Sequence, residues 1–281
     1  MKNTREGTCI VTGAKPAAAG EPPLLMIEAA IATIRLARPR LHNRLEPQDL
    51  HRLADYFEQI NADHSIRAVI LTASGNSFSS GYHLGALQQD AQNAPEQPAA
   101  SVPDSEPTLF ARVVDQLEAL RPPTICALNG SVYGGATDLA LACDFRLGAT
   151  GMQLLMPAAR LGIHYYASGL RRYVSRLGLA NAQRLFLTAQ AVNADELIAM
   201  GYLTELVDAA DLPACSRQLA EQLARNAPAA VQGMKQHLNA IASGVFDPAT
   251  INYAHKASLH SAEAREGVQA WHEKRAPHFN D

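Results

Sequence analysis

The stretch RPPTICALNGSVYGGATDLALACDFRLGA, Arg121–Ala149, decides the fold. Two short apolar runs in it, Thr124–Leu128 and Cys143–Ala149, are bounded by turn residues and read as strands. Between them the adjacent glycines Gly134 and Gly135 follow a strand, and Asp138 stands among apolar residues three positions later. The same plan occurs upstream, where the strand-like RAVILTA, Arg67–Ala73, leads to the turn SSGYH, Ser79–His83. Glycine lets a ligand approach main-chain N–H groups closely. Two such turns facing one pocket would converge two N–H donors on one oxygen, an oxyanion hole for developing negative charge. From spacing alone, two ordinary tight turns are the simpler account of the pattern.

Working outward, LLMIEAAIATIRLARP predicts two short strands broken near Glu28–Ala30. A helix follows from Pro47, with Leu50, Leu53, Phe57 and Ile60 on one side. Residues 88–107 lack periodicity, carry Gln, Pro and Ser, and read as an exposed loop. A helix resumes at Leu109 with Phe110, Val113, Val114, Leu117 and Leu120 on one side, and Pro122–Pro123 stops it. The second half is mostly helical. GLRRYVSRLG and ANAQRLFLTAQ are amphipathic, Asn193 and Glu196 have capping-box spacing, and TELVD is a brief strand. Several helices follow from Leu212 onward. Strand–helix alternation early and helices late predict an α/β core with a helical region after it. The boundaries are an arm over 1–23, a core over 24–207 and a C-terminal helical region over 208–281.

The 281 residues are 47% hydrophobic, enough for one sizeable core, and the formal charge of −3 argues against nucleic acid as a partner. Cys9, Cys126, Cys143 and Cys215 match no zinc spacing, so no metal is expected and a reducing compartment fits. No apolar run is long enough to span a membrane, and the N-terminus does not read as a signal peptide. A cytoplasmic protein is the expectation.

Several ordered motifs together resemble the crotonase, or enoyl-CoA hydratase/isomerase, superfamily. They are IATIRLARPRLHNRL, NSFSSGYHLGAL, the Arg121–Ala149 stretch, PAARLGI, LTAQAVNADELIAMGYLTELV and EGVQAWHEKRAPHF. The similarity runs from about Leu24 to Phe279. It implies a ClpP-like spiral of ββα turns with a C-terminal helical trimerisation region, assembled as a homotrimer or dimer of trimers. It implies an acyl-CoA substrate, with coenzyme A present only as part of that thioester and no permanently bound cofactor. By motif position, the Tyr82 and Gly135 amides would hold the thioester oxygen of an enolate.

Hydratases of the family carry two glutamates. Here the first position is Asp138, one methylene shorter, and the second is Ala158, which cannot carry a proton. That departure leaves several reactions open. One is hydration by Asp138 with a nonstandard partner. Another is decarboxylation or C–C cleavage, since Tyr165 matches a tyrosine of the methylmalonyl-CoA decarboxylase branch. A thioester or β-diketone hydrolase and a non-catalytic acyl-CoA-binding scaffold are the further readings. Tyr166 falls where related dehalogenases and dienoyl isomerases carry an aspartate. His164 is a candidate for proton transfer near neutral pH. Arg40 and Arg44 flank the turn that lines the cofactor site in relatives. Trp271 and Lys274 match the C-terminal adenine and basic positions.

Overall fold

The computed structural model describes residues 20–83, 85 and 108–279. The expected arm up to residue 19 and the expected loop over 88–107 lie outside them. In chain order the strands are β1 Leu24–Glu28, β2 Ile31–Leu36, β3 Ala68–Ala73, β4 Ser77–Ser79, β5 Thr124–Leu128, β6 Ser131–Tyr133, β7 Phe145–Ala149, β8 Gln153–Leu155, β9 Val192–Asn193 and β10 Glu205–Val207. The helices are α1 Pro47–Ala62, α2 Leu109–Glu118, α3 Gly135–Ala142, α4 Ala167–Leu177, α5 Leu179–Thr188, α6 Ala194–Ala199, α7 Leu212–Ala224, α8 Pro228–Ala242, α9 Pro248–Ser258 and α10 Ala262–Glu273.

Two sheets climb side by side. The larger has the order β1-β2-β3-β5-β7-β10, antiparallel only at the β1–β2 hairpin. The smaller has the order β4-β6-β8-β9. At its centre each turn of the chain contributes one strand to each sheet and then a helix, as β5–β6–α3 and β7–β8–α4 do. This is the crotonase spiral that the motifs imply.

The apolar runs are explained by burial on both faces, as parallel sheets require. Ala32, Ile34, Val69, Leu71, Cys126 and Leu128 point into the main core against α1 and α2. Their neighbours Ile31, Ala68, Ile70, Ile125 and Ala127 point the other way, under Leu212 and Ala220 of α7. The second sheet is the part the sequence did not announce. Its strands span two or three residues, too short to display a period of two. The stretch SGNSFSSGYHL after β3, which reads as a turn with two glycines, therefore contains β4.

Beyond α7 the pattern changes. Neither α8 nor α9 has a buried residue. Met234, Leu238 and Ile241 form an exposed stripe on α8 at helical spacing, continued by Val245 and Phe246. Tyr253, Leu259, Val268 and Trp271 are also exposed, Trp271 at 84%. No described helix is long and apolar enough to cross a membrane.

Candidate active site

The site begins at the turn after β2. Asn43, buried and at φ +50°, accepts from the Arg38 N–H and donates to the carbonyls of Ser74 and Ser77. This ties the turn to the loop between β3 and β4. Ser79 Oγ continues the link, donating to Asn43 O and accepting from the Gly81 N–H. Leu45 then bridges Tyr82: its N–H donates to Gly81 O at 2.9 Å and its carbonyl accepts from His83 N at 3.0 Å. Strand alternation consequently turns the Tyr82 N–H away from Leu45.

The second glycine turn meets the first. A Cβ placed on Gly81, whose φ is +93°, would lie 2.7 Å from Tyr133 O and 3.4 Å from Gly135 N. The two turns are thus in contact. Gly134 caps α3, its N–H donating to Leu155 O, and Gly135 is the first helical residue, whose N–H has no acceptor within the helix. The far end of α3 is held by two guanidinium groups. Arg146 and Arg176 both donate to the carbonyl of Cys143, each at 2.6 Å, and both reach Leu141 O. Positive charge there complements the negative end of the helix and fixes where its N-terminus points.

An aromatic wall runs from these turns to Asp138. The Phe110 ring lies over Gly135, 5.7 Å from the Tyr82 ring and 6.0 Å from the Tyr166 ring. Tyr166 stacks on Tyr165 at 4.6 Å and donates its hydroxyl to Asp138 Oδ2. Asp138 is fully buried. Arg172 Nη1 donates to both its oxygens at 2.8 Å. Gly169 makes this close approach of α4 possible, since a Cβ there would stand 2.8 Å from Asp138 Oδ2 and 2.5 Å from the Tyr165 ring. Burial pushes the Asp138 carboxyl above its ordinary value, while Arg172 and Tyr166 pull it back only in part. Burial and the Asp138 charge hold the Tyr166 phenol well above the usual tyrosine range.

The structure gathers Tyr82, Gly135, Tyr165, Tyr166 and Asp138 into one neighbourhood. The Tyr165 ring packs on Tyr166, Tyr173 and Phe186, and its hydroxyl has no partner of normal geometry among the described residues. His164 is exposed and its Nδ1 bonds the Tyr165 carbonyl instead of Asp138. Ala158 opens a 3-10 turn and its methyl joins the core. Arg40 is exposed, and Arg44 is engaged by Glu46 at 2.6 Å. Trp271 and Lys274 lie exposed at the end of α10.

Sequence reasoning missed Arg172. The signal was present in GLRRYVSRLG: Gly169, Arg172, Tyr173 and Leu177 form the buried face of α4, so an arginine stands inside an apolar stripe. Phe110 was read as a core residue of α2 and is also the ring that covers Gly135.

Comparison with known proteins fits this geometry. The sequence model of the enoyl-CoA hydratase/isomerase family matches residues 26–281. The chain belongs to the enoyl-CoA hydratase/isomerase family. Among its relatives, a short-chain-enoyl-CoA hydratase from Clostridium acetobutylicum is 30% identical over 217 residues, covering 77% of this chain and 80% of that protein. A carnitinyl-CoA dehydratase from Salmonella typhi is 31% identical over 260 residues, covering 88% and 94%. The crystal structure of an enoyl-CoA hydratase from Bacillus anthracis superimposes with a TM-score of 0.80 at 30% identity, covering 92% of this chain and 99% of that one. In this member of the family the buried Asp138 is bound by Tyr166 and Arg172.

Proposed function

We propose that the protein is an acyl-CoA hydro-lyase that adds water to, or removes it from, a thioester through an enolate. The observation that carries this reading is the Tyr166–Asp138 hydrogen bond. Tyrosine has a single O–H, and here it is committed to Asp138. To a bound substrate the same oxygen therefore offers lone pairs and acts as an acceptor. A water or a β-hydroxyl, being a donor, fits that acceptor; a substrate carboxylate, which only accepts, does not. The arrangement thus favours hydration and dehydration over decarboxylation. The named activities of the two relatives above point the same way.

In the hydration direction, water binds to Tyr166 Oη and its oxygen forms a bond to Cβ of an α,β-unsaturated thioester. The π electrons pass through Cα to the thioester oxygen, where the Tyr82 and Gly135 amides hold the negative charge. The proton released by water moves to Tyr166 as Tyr166 passes its own to Asp138. The same couple returns a proton to Cα when the enolate collapses. Asp138 must be ionised to start, and its raised pKa makes it a better acceptor than an ordinary surface carboxylate. Arg40, Arg44, Trp271 and Lys274 are the groups we assign to the coenzyme A phosphates and adenine.

Mass spectrometry of products from a panel of enoyl-, β-hydroxyacyl-, malonyl- and β-keto-acyl-CoA thioesters tests the assignment. The expected result is gain or loss of one water on the first two classes. Release of carbon dioxide, or of free coenzyme A, would replace it with a decarboxylase or a hydrolase. Binding without turnover would leave a scaffold.

We further propose that the exposed apolar stripe of α8 is buried in a homotrimer. A group of large apolar side chains facing water on one helix marks an interaction surface. Light scattering of the purified chain is expected to give a trimer or hexamer, and Leu238→Glu to shift it toward monomer. A wild-type chain that is monomeric at micromolar concentration would refute this.

A further inference from the structure

Asp138 is one end of a buried chain of charges. Arg172, itself fully buried, donates to Asp138 through Nη1, lies 3.0 Å from Glu118 Oε1 through Nε, and donates to Asp115 Oδ1 at 2.6 Å through Nη2. Glu118 is shared, pairing also with Arg171 at 2.6 Å and Arg176 at 3.2 Å. Asp115 is different. Its side chain is 38% exposed, Arg172 is its ion-pair partner, and it lines a cavity of about 740 Å³ between α2, α4 and α8. One guanidinium thus bridges a sealed carboxylate beside Tyr166 and a partly solvated one that lines the cavity.

We propose that Arg172 is a positioning residue for the Asp138–Tyr166 couple, and that Asp115 sets how strongly Arg172 holds Asp138. The inference rests on the assignment of Asp138 to proton transfer. Arg172 fixes the carboxylate plane by bonding both oxygens, which leaves Oδ2 aligned with the Tyr166 hydroxyl. Its positive charge is divided among three anions. Taking the charge from Asp115 leaves more of it for Asp138, which favours the ionised carboxylate. The other groups bearing on Asp138 are Tyr166, Tyr165 and Tyr173 from α4 and its entry, Tyr202 behind α3, and Glu118 from α2. Those facing Asp115 across the cavity are Arg171, Arg121 and Lys235. Asp115→Asn alters none of these groups directly.

The test reads Asp138 without any substrate. The full chain is labelled with 13C at the aspartate carboxyls, and the Asp138 resonance is assigned by its loss in Asp138→Asn. In Asp115→Asn its titration midpoint is expected about half a pH unit below wild type. The acid limb of kcat/KM should move with it. An unchanged midpoint, or a carboxyl that stays ionised down to acid unfolding in both proteins, overturns the proposal. A midpoint that moves in a protein inactive on every thioester sustains the relay and removes the hydro-lyase assignment. Arg172→Lys keeps the charge but loses the fork geometry. It should lower kcat at least about tenfold with KM little changed; an unaltered kcat would also overturn the positioning role.

Discussion

Tyr166→Phe is expected to lower kcat for water addition by about 100-fold or more, the scale of losing one positioned proton-transfer group. The ring remains, so its contacts with Phe110 and Tyr165 survive and KM for the thioester should change little. Two further readouts separate chemistry from packing. The wild-type acid limb of kcat/KM should sit above the ordinary carboxylate pKa of about 4, because Asp138 must be ionised and burial raises its pKa. Activity therefore rises with pH through that limb and is lost below it. Tyr165→Phe is the matched comparison. It removes a hydroxyl without a partner of normal geometry, so it should leave turnover within a few-fold and stability unchanged or improved. If Tyr165→Phe is the crippled variant and Tyr166→Phe is active, the two tyrosines have been assigned the wrong way round.

The second large effect belongs to Gly81→Ala. At φ +93° a side chain is strained, and the new methyl would meet Tyr133 O at 2.7 Å, a backbone atom that cannot swing aside. Relief requires the two glycine turns to separate, and with them the Tyr82 and Gly135 amides. Losing the proposed shared grip on the thioester oxygen should cost about 100- to 1,000-fold in kcat. Thermal unfolding measured alongside shows whether the fold persists. A folded Gly81→Ala enzyme with wild-type turnover would show that the two amides do not act together.

Much of this architecture was readable from residue order because its elements obey simple periods. Ile125, Cys126, Ala127 and Leu128 alternate between two buried faces, and a run of such residues can be little else than an inner strand. The paired glycines announced a turn that needs close approach. Less was readable where the third dimension decides. Tyr165 and Tyr166 are neighbours in a segment with no period before α4, so nothing local says which hydroxyl reaches Asp138. Arg172 was visible as an oddity on a buried face, but its partners come from α2 and α3, 34 to 57 positions away. Asp138 could be singled out as a carboxylate among apolar residues, and it lies buried in α3. Its commitment to Tyr166 and Arg172 emerges only when α4 packs down over Gly169.

The unburied helices at the end of the chain carry a lesson about timing. During synthesis the N-terminal part emerges first, and it contains every strand of both sheets, α7 and the Asp138 cluster. The apolar stripe of α8, the surface proposed to meet other copies, is made after them. If that stripe is the trimer contact, a nascent chain cannot pair through it until the residues of its interior have already emerged. A truncated product ending before α8 should be a folded, solitary molecule instead of a seed for aggregates.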